Sequence, residues 1–381
     1  MNRPLRPQST EMTVIDLFAG VGGLSLGAAR AGFNVMGAVE LDKHAIAAHA
    51  INFPNTTHIA EDIAQLDGKA ILNRLGLKEG ELGGIIGGPP CQGFSLIGKN
   101  QEGDPRNEMF STFFKLVNEI RPKFFLAENV PGILQVKNKD FVNNAISQVA
   151  DTYKMLRPMT LAANDFGAPT TRKRVFFIGI RSDQKQNLKE TDFAPSQNIE
   201  LITVRKALKG LEVHIDPEWQ SAEESWKKAN QPDSCDFSKK LWGAIPEGVG
   251  NQRAIKRLKK EQMISGSFGT RHSAPVSARY AKVLPGKSDN ISKSRKLELD
   301  GFCPTLRAGT GPERGSYQAV RPLHPTENRV ITPREAARLQ GFPDWFQFAP
   351  SKWHSFRQIG NSVSPLLAEQ IFKILRKAIK K

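Results

Sequence analysis

Residues 87 to 95 read GGPPCQGFS, a cysteine set behind two prolines and ahead of a glycine. A thiolate is a strong nucleophile, but a free thiol of pKa about 8.5 is only a few per cent ionised at neutral pH, so a reactive cysteine needs help from its surroundings. The preceding GGII is short and apolar and fits the end of a buried strand; Pro89 and Pro90 stop the chain from continuing as helix or ladder. Cys91 is thus expected on a stiff loop at a strand's end, where open α/β sheets place reacting groups. A buried cysteine acting as a small hydrophobe is the plainer alternative.

Three further sets of residues could do chemistry. DLFAGVGGLSLG, residues 16 to 27, reads as strand, glycine turn and helix, and Gly20, Gly22 and Gly23 would let a ligand approach bare backbone. Ser25 stands where a dinucleotide fingerprint would want its third glycine. Glu40 ends the next strand at the spacing where a carboxylate accepts hydrogen bonds from ribose hydroxyls, and Asp62 follows the third such segment, placed for an adenine amino group. No phosphate-binding lysine accompanies the turn, so a nucleoside without a diphosphate suits it. Glycines that merely make a turn, with Glu40 a solvated strand end, are the competing reading. Glu128 in AENV closes another apolar strand at the same mouth of the sheet. Arg172 and Arg174 alternate and are expected to share one face of a strand, either as anion ligands or as a basic strand edge.

The elements that must position these groups alternate. TVIDLFAG is followed by LSLGAARAG, NVMGAVELD by KHAIAAHAINF, GGIIGG by a loop and FSTFFKLVNEI, and KFFLAENV by DFVNNAISQVA; RKRVFFIGIR reads as one more strand. Strands separated by helices of this length predict an α/β fold with a doubly wound, mostly parallel sheet. After about residue 185 the period fails, and a smaller, irregular, β-rich domain is expected. ITPREAARLQGF then begins with a threonine cap and a proline in the first turn, and PLLAEQIFKILRKAIKK closes as an amphipathic helix. The expected division is 1–185, 186–329 and 330–381, the last returning to the first.

The 381 residues carry a formal charge of +16, which points to a polyanionic partner. Lysines and arginines crowd 239–240, 253–260, 271–287 and 293–296, the footprint of a phosphate-tracking surface. Three cysteines without CxxC spacing suggest neither a disulfide framework nor a zinc ribbon, and no metal is expected. No apolar run approaches a membrane span, so no membrane partner and a cytoplasmic location are expected.

Six blocks in order, DLFAGVGGLSLG, GGPPCQGFS, AENV, GAPTTRKRVFFIG, REAARLQGFPD and QIGNSVSP, resemble the DNA (cytosine-5)-methyltransferases of prokaryotic restriction-modification systems. The resemblance covers the chain apart from its middle, where that family holds a variable target-recognition domain. It implies a Rossmann-like fold and S-adenosylmethionine as methyl donor. The donor would be held by Asp16, Phe18 stacked on adenine, Gly20, Gly22, Gly23, Leu24, Glu40 on the ribose, Leu41, Asp62, Ile63 and Pro89, with Asn361, Ser362 and Val363 packing back from the far end of the chain. It implies that Cys91 attacks C6 of a flipped cytosine while Glu128 assists at N3, and that Arg172 and Arg174 contact cytosine O2 and a neighbouring phosphate or loop. Thr170 stands where the family has glutamine, so that residue's orienting contact is not carried over. Gln92, Ser95 and Arg106 in the loop after the nucleophile, and Thr305, Leu306 and Arg307, would meet double-stranded DNA. The resemblance further implies a monomer and a cognate restriction endonuclease that forms no stable complex with it. A transfer RNA cytosine-5 methyltransferase of the same fold is the alternative.

Overall fold

The structure, a computed structural model, describes residues 12–90, 105–185, 187–218, 221–231, 235–243, 245–308 and 321–379. Two compact units divide the chain: Met1–Ala162 with Lys173–Ser196 and Ala368–Lys381, and Ala163–Arg172 with Gln197–Leu367.

The first unit is built on one sheet. Its strands are β1 (Thr13–Leu17), β2 (Asn34–Val39), β3 (Thr57–Ile59), β4 (Gly84–Gly87), β5 (Phe124–Asn129), β6 (Tyr153–Met155), β7 (Met159–Ala162) and β8 (Lys173–Arg181). They lie in the order β3-β2-β1-β4-β5-β8-β6, with β7 also paired to β8. Helices α1 (Gly23–Arg30), α2 (Lys43–Asn52), α3 (Gly68–Leu75), α4 (Pro105–Ile120) and α5 (Lys139–Ser147) fall between the early strands. The doubly wound sheet is therefore the one expected, and β1 to β5 pair in parallel. RKRVFFIGIR, as β8, runs antiparallel to β5, β6 and β7. The physical reason is that ten residues join β7 to β8 with no crossover helix, and only an antiparallel return can be so short.

Strands covered on both faces read as continuous apolar runs, and all of β1, β4 and β5 is buried. Phe110, Phe113 and Phe114 of α4 meet Phe125 and Phe177 of the sheet, with ring centroids 5.2 to 6.3 Å apart in edge-to-face contacts. At the centre, Leu17 pairs with Gly87. A Cβ on residue 87 would stand 2.2 Å from the Leu17 carbonyl oxygen, so β1 and β4 close at that end only around a glycine. Helix α4 starts at Pro105, five residues before the expected FSTFFKLVNEI, because proline is well suited to a first turn. Arg106 therefore lies on a helix, not in a loop.

The second unit carries α6 (Val204–Leu208), β9 (Lys227–Lys228), α7 (Asp236–Trp242), α8 (Gln252–Lys256), β10 (Met263–Ile264), α9 (Ala274–Ala281), α10 (Pro333–Gln340) and α11 (Lys352–Asn361). The irregularity expected of the middle region is present, but its β-rich character is not. Among the described residues there are only the two-residue pair β9 and β10 and isolated bridges. Side-chain ion pairs do much of the work that ladders would do. On α10, Arg338 grips Asp344 through two bonds of 2.9 and 2.7 Å and donates to the carbonyls of Ala207 and Lys209. Arg334 donates to the carbonyls of Ser265, Pro343 and Phe346. Thr332 caps α10 in a reciprocal box with Glu335, which Arg329 also clasps at 2.8 and 2.9 Å.

Arg338 and Asp344 are both fully buried, so removing one leaves an uncompensated charge in the interior. Asp344→Ala should destabilise the second unit by about 3–5 kcal/mol, read as a lowered urea midpoint.

Candidate active site

The winding direction of the sheet reverses between β1 and β4, and the loops leaving their carboxyl ends open the crevice where such sheets bind ligands. The loop after β1 is Phe18 to Gly22. Phe18 has φ 61°, a left-handed conformation that costs a bulky residue of the order of 1–3 kcal/mol and recurs at functional sites. Gly20 (φ 56°) and Gly22 (φ 99°) share that hand but differ in surroundings. A Cβ on Gly22 would meet Phe53 at 2.6 Å and His49 at 2.9 Å, whereas a Cβ on Gly20 would meet nothing within 4 Å. Only Gly20 thus has the open backbone expected of a cradle; Gly22 is required by packing. Gly23 and Leu24 begin α1 and are buried.

Two carboxylates line this turn. Glu40 accepts from the amides of Gly20 at 2.9 Å and Asp42 at 2.8 Å, tying the end of β2 to the glycine turn. Burial raises its pKa and those amide bonds oppose the rise. Asp16, 1 % exposed, takes a 2.6 Å bond from Ser25 on Oδ2 while its Oδ1 has no hydrogen-bond partner among the described residues. Burial pushes its carboxyl up to about 7, the Ser25 bonds oppose this, and Glu40 adds repulsion. Nearby, Leu41 is exposed, Ile63 is buried and Asp62 caps a short helical turn through Ala64. An orphaned buried carboxylate oxygen beside an open glycine fits a ligand with a cationic group and a ribose.

The second group of residues surrounds the end of β4. Pro90 is the last described residue there; Cys91, Gln92 and Ser95 lie outside the described residues, as does the side chain of Arg106. Glu128, at the end of β5, is 8 % exposed, and its Oε2 would be 3.0 Å from a Cβ on Gly88. Asn129 beside it donates to the buried Pro89's carbonyl at 3.3 Å. β5 thus braces the segment that leads into Cys91. Arg174 approaches Glu128 Oε1 at 2.6 Å as an ion pair, with both side chains nearly buried.

Arg172 does not share a strand face with Arg174, because β8 begins only at Lys173. Pro169 and Thr171 pair with the backbone of Cys303, which draws Arg172 toward the residues that follow that cysteine. Its guanidinium, 1 % exposed, donates to the carbonyls of Leu306 at 3.0 Å and Asn361 at 3.3 Å. Leu306 is buried between exposed Thr305 and Arg307. Ser362 accepts from Gln340 on its carbonyl and donates from its hydroxyl to Gln358, and Val363 is buried beside it. The remaining cysteines are not poised to react: Cys303 is buried with its thiol pushed up, and Cys235 sits beside Ser238 at 3.1 Å. Part of the basic footprint is neutralised within the second unit. Arg253 and Arg257 pair with Glu223, Arg271 with Glu218 and Arg279 with Asp289, and Arg257 also covers Trp226.

Residues that sequence reasoning missed are His49 and His58, which continue the contact between Ser25 and Asp16. The signal was Ser25 itself, a hydroxyl in place of the third glycine.

The strand order, the glycine turn and the acid at the end of β2 define a methyltransferase-type α/β enzyme, a class that uses S-adenosylmethionine generally. A family model of C-5 cytosine-specific DNA methylases matches residues 12–377. The type II methyltransferase M.XorII of Xanthomonas oryzae is 38% identical over 378 residues, spanning 95% of this chain and 85% of that protein. M.DdeI of Desulfomicrobium norvegicum is 35% identical, spanning 94% and 87%. A crystal structure of a candidate DNA modification methyltransferase encoded within an Escherichia coli prophage superposes with a TM-score of 0.88 at 50% identity, covering 97% of this chain and 100% of that one. The chain belongs to the C-5 cytosine-specific DNA methylases and is a DNA (cytosine-5)-methyltransferase.

Gly20→Ala should weaken S-adenosylmethionine binding in calorimetry while costing about 1–2 kcal/mol of stability from its backbone hand alone. Gly22→Ala should lower the melting temperature further, since its Cβ overlaps Phe53 and His49. For Asp16 the folded pKa, about 7, exceeds the ordinary 3.8. Between those values the unfolded chain releases a proton that the folded chain keeps, so this residue's contribution makes ligand-free stability fall as pH rises through that window and flatten above it. Asp16→Asn should remove that slope, measured by urea unfolding across pH.

Proposed function

We propose that this protein methylates C5 of a cytosine flipped out of double-stranded DNA, with S-adenosylmethionine as donor, through a covalent bond between Cys91 and C6. The observation that carries the reading is the position of Glu128. Its carboxylate lies against Gly88, in the segment that runs through Pro89 and Pro90 into Cys91, while Arg174 holds its other oxygen.

Cytosine C5 is a poor nucleophile in the free base. Bonding the Cys91 sulfur to C6 breaks the C5–C6 π bond and sends its electrons through C5 toward N3, so C5 becomes an enamine carbon. Glu128 is the group assigned to N3, where its hydrogen bond would lower the barrier to that charge. Once C5 carries the methyl group, loss of its proton to a base expels the thiolate and restores the aromatic ring. When bound, the donor supplies an electrophilic methyl on a sulfonium. The residues assigned to hold it are Asp16, Phe18, Gly20, Gly22, Gly23, Leu24, Glu40, Leu41, Asp62, Ile63 and Pro89, joined by Asn361, Ser362 and Val363.

A base stacked in a duplex cannot present C6 to a thiol, which is the reason for proposing extrusion. Gln92, Ser95 and Arg106 are assigned to the DNA near the flipped base, and Thr305, Leu306 and Arg307 to the recognition side. In this reading 1–185 and 330–381 form the catalytic part and 186–329 the recognition part. Arg172, which organises Leu306 and Asn361 from beneath, becomes a brace for that surface. The names of the relatives, type II methyltransferases, support a role in protecting DNA from a cognate endonuclease; action as a monomer in the cytoplasm is part of the same proposal. No described helix is long and apolar enough to cross a membrane.

Incubation with S-adenosylmethionine and unmethylated plasmid, followed by bisulfite sequencing, should reveal protected cytosines recurring in one short motif. Cys91→Ala should abolish that protection, a loss of at least about 10³-fold in rate, while DNA binding in a mobility-shift assay stays within about twofold. Recovery of methylated product with the variant would remove the covalent mechanism.

A further inference from the structure

Behind the Gly20 turn, four polar side chains form an unbroken line through the first unit. Ser25 Oγ lies 2.6 Å from Asp16 Oδ2, His49 Nε2 lies 3.1 Å from Ser25 Oγ, and His49 Nδ1 lies 2.9 Å from His58 Nε2. Asp16, Ser25 and His49 are buried, His49 stacks on Phe53 with ring centroids 4.3 Å apart, and only His58 is half-exposed. A polar chain in an otherwise apolar core is costly unless every link is satisfied.

Counting protons shows how the links can be satisfied. A hydroxyl carries one proton and a neutral imidazole one, so each group can donate along the line in only one direction at a time. In the first arrangement protonated Asp16 donates to Ser25, Ser25 donates to His49 Nε2, and His49 Nδ1–H donates to His58 Nε2. His58 then keeps its own proton on Nδ1, toward the Thr56 backbone to which it is hydrogen-bonded. In the second arrangement Ser25 donates to ionised Asp16, His49 Nε2–H donates to Ser25, and His58 Nε2–H donates to His49 Nδ1. Each proton has moved by one link, none has been gained or lost, and His58 has become an imidazolium.

We propose that Ser25, His49 and His58 are positioning residues that carry the Asp16 proton to His58 when a cationic group of the donor docks at the unpartnered Asp16 Oδ1. The inference rests on the reading of the Gly20 turn as the S-adenosylmethionine site. Docking a cation stabilises ionised Asp16 and drives the line from the first arrangement to the second. Burial lowers the His58 pKa and opposes the imidazolium, while its Thr56 hydrogen bond and an ionised Asp16 favour it. Glu40 faces Asp16 and raises the cost of its ionisation until a cation arrives, and His58 is the titratable group that acts on His49. Burial holds the His49 pKa well below its ordinary value, so this ring passes a proton on and does not store one. A serine in place of glycine at position 25 then has a chemical reason.

The test is long-range proton–nitrogen NMR of the full chain labelled in its histidines, just below neutral pH, with and without S-adenosylmethionine. His49 should carry its proton on Nδ1 in the free protein and on Nε2 in the complex, and His58 should shift toward the imidazolium form. Ser25→Ala should still bind the donor, with weakened affinity, but should lose the His49 switch. His58→Phe, at the half-exposed end, provides the same loss should Ser25→Ala fold poorly. A His49 tautomer unchanged by bound donor overturns the relay and leaves the donor site standing. Absence of binding in calorimetry overturns both, which separates the two failures.

Discussion

The carbonyl oxygen of Leu17 occupies the space where a side chain at position 87 would begin, and the rest of the site depends on that approach. Because β1 and β4 close tightly at their carboxyl ends, the chain leaving each strand is delivered to one crevice. From β1 it enters the turn of Phe18 to Gly22, and from β4 it enters Gly88, Pro89 and Pro90. The strand order reverses at this pair, which is where such sheets open a crevice. β5, paired in register with β4, then brings Glu128 against Gly88 and Asn129 against Pro89. A glycine contact between two backbones thus fixes the relative placement of the Gly20 turn and the Gly88–Pro90 segment.

Electrostatics divides the crevice into two halves. Glu128 has its cation within the chain, in Arg174. Asp16 and Glu40 are stabilised instead by a hydroxyl and by backbone amides, and no ion pair to either is present among the described residues. Burial keeps both at raised pKa. A site of this kind is under-compensated until a positive ligand arrives, and a sulfonium compound with an amino group carries that charge. The net charge of +16 acts elsewhere, and several of the middle region's arginines, though exposed, are already paired with carboxylates.

Much of this was legible in the sequence, for identifiable reasons. Strands buried on both faces announce themselves as apolar runs, so TVIDL, GGIIG and FFLAEN could be placed directly. Thr332 with Pro333 spelled out a capped helix start, and the cap is there, with Glu335 closing a reciprocal box that the sequence reading did not include. The direction of β8 was not legible, because periodicity shows that a strand exists and not which way it runs. The β-rich expectation for the middle was not met among the described residues, where buried Arg329, Arg334 and Arg338 grip carbonyls far away in sequence and carboxylates close by. Charged residues read one by one look solvent-exposed. The same limit hid His49 and His58, whose partner Ser25 is distant along the chain.

The arginines of the TTRKR stretch show how alternation in sequence need not mean a shared face. Two residues apart, they suggested a shared strand face. Instead Arg172 is spent on two carbonyl oxygens and Arg174 on a carboxylate. A guanidinium suits both tasks because its planar fork reaches two acceptors at once, which a lysine ammonium on a flexible stem does not reproduce. The pressure for arginine at both positions is therefore geometric before it is electrostatic. One arginine shapes the Leu306 and Asn361 backbone on which substrate contacts are proposed, and the other fixes the orientation of the acid beside the nucleophile's loop.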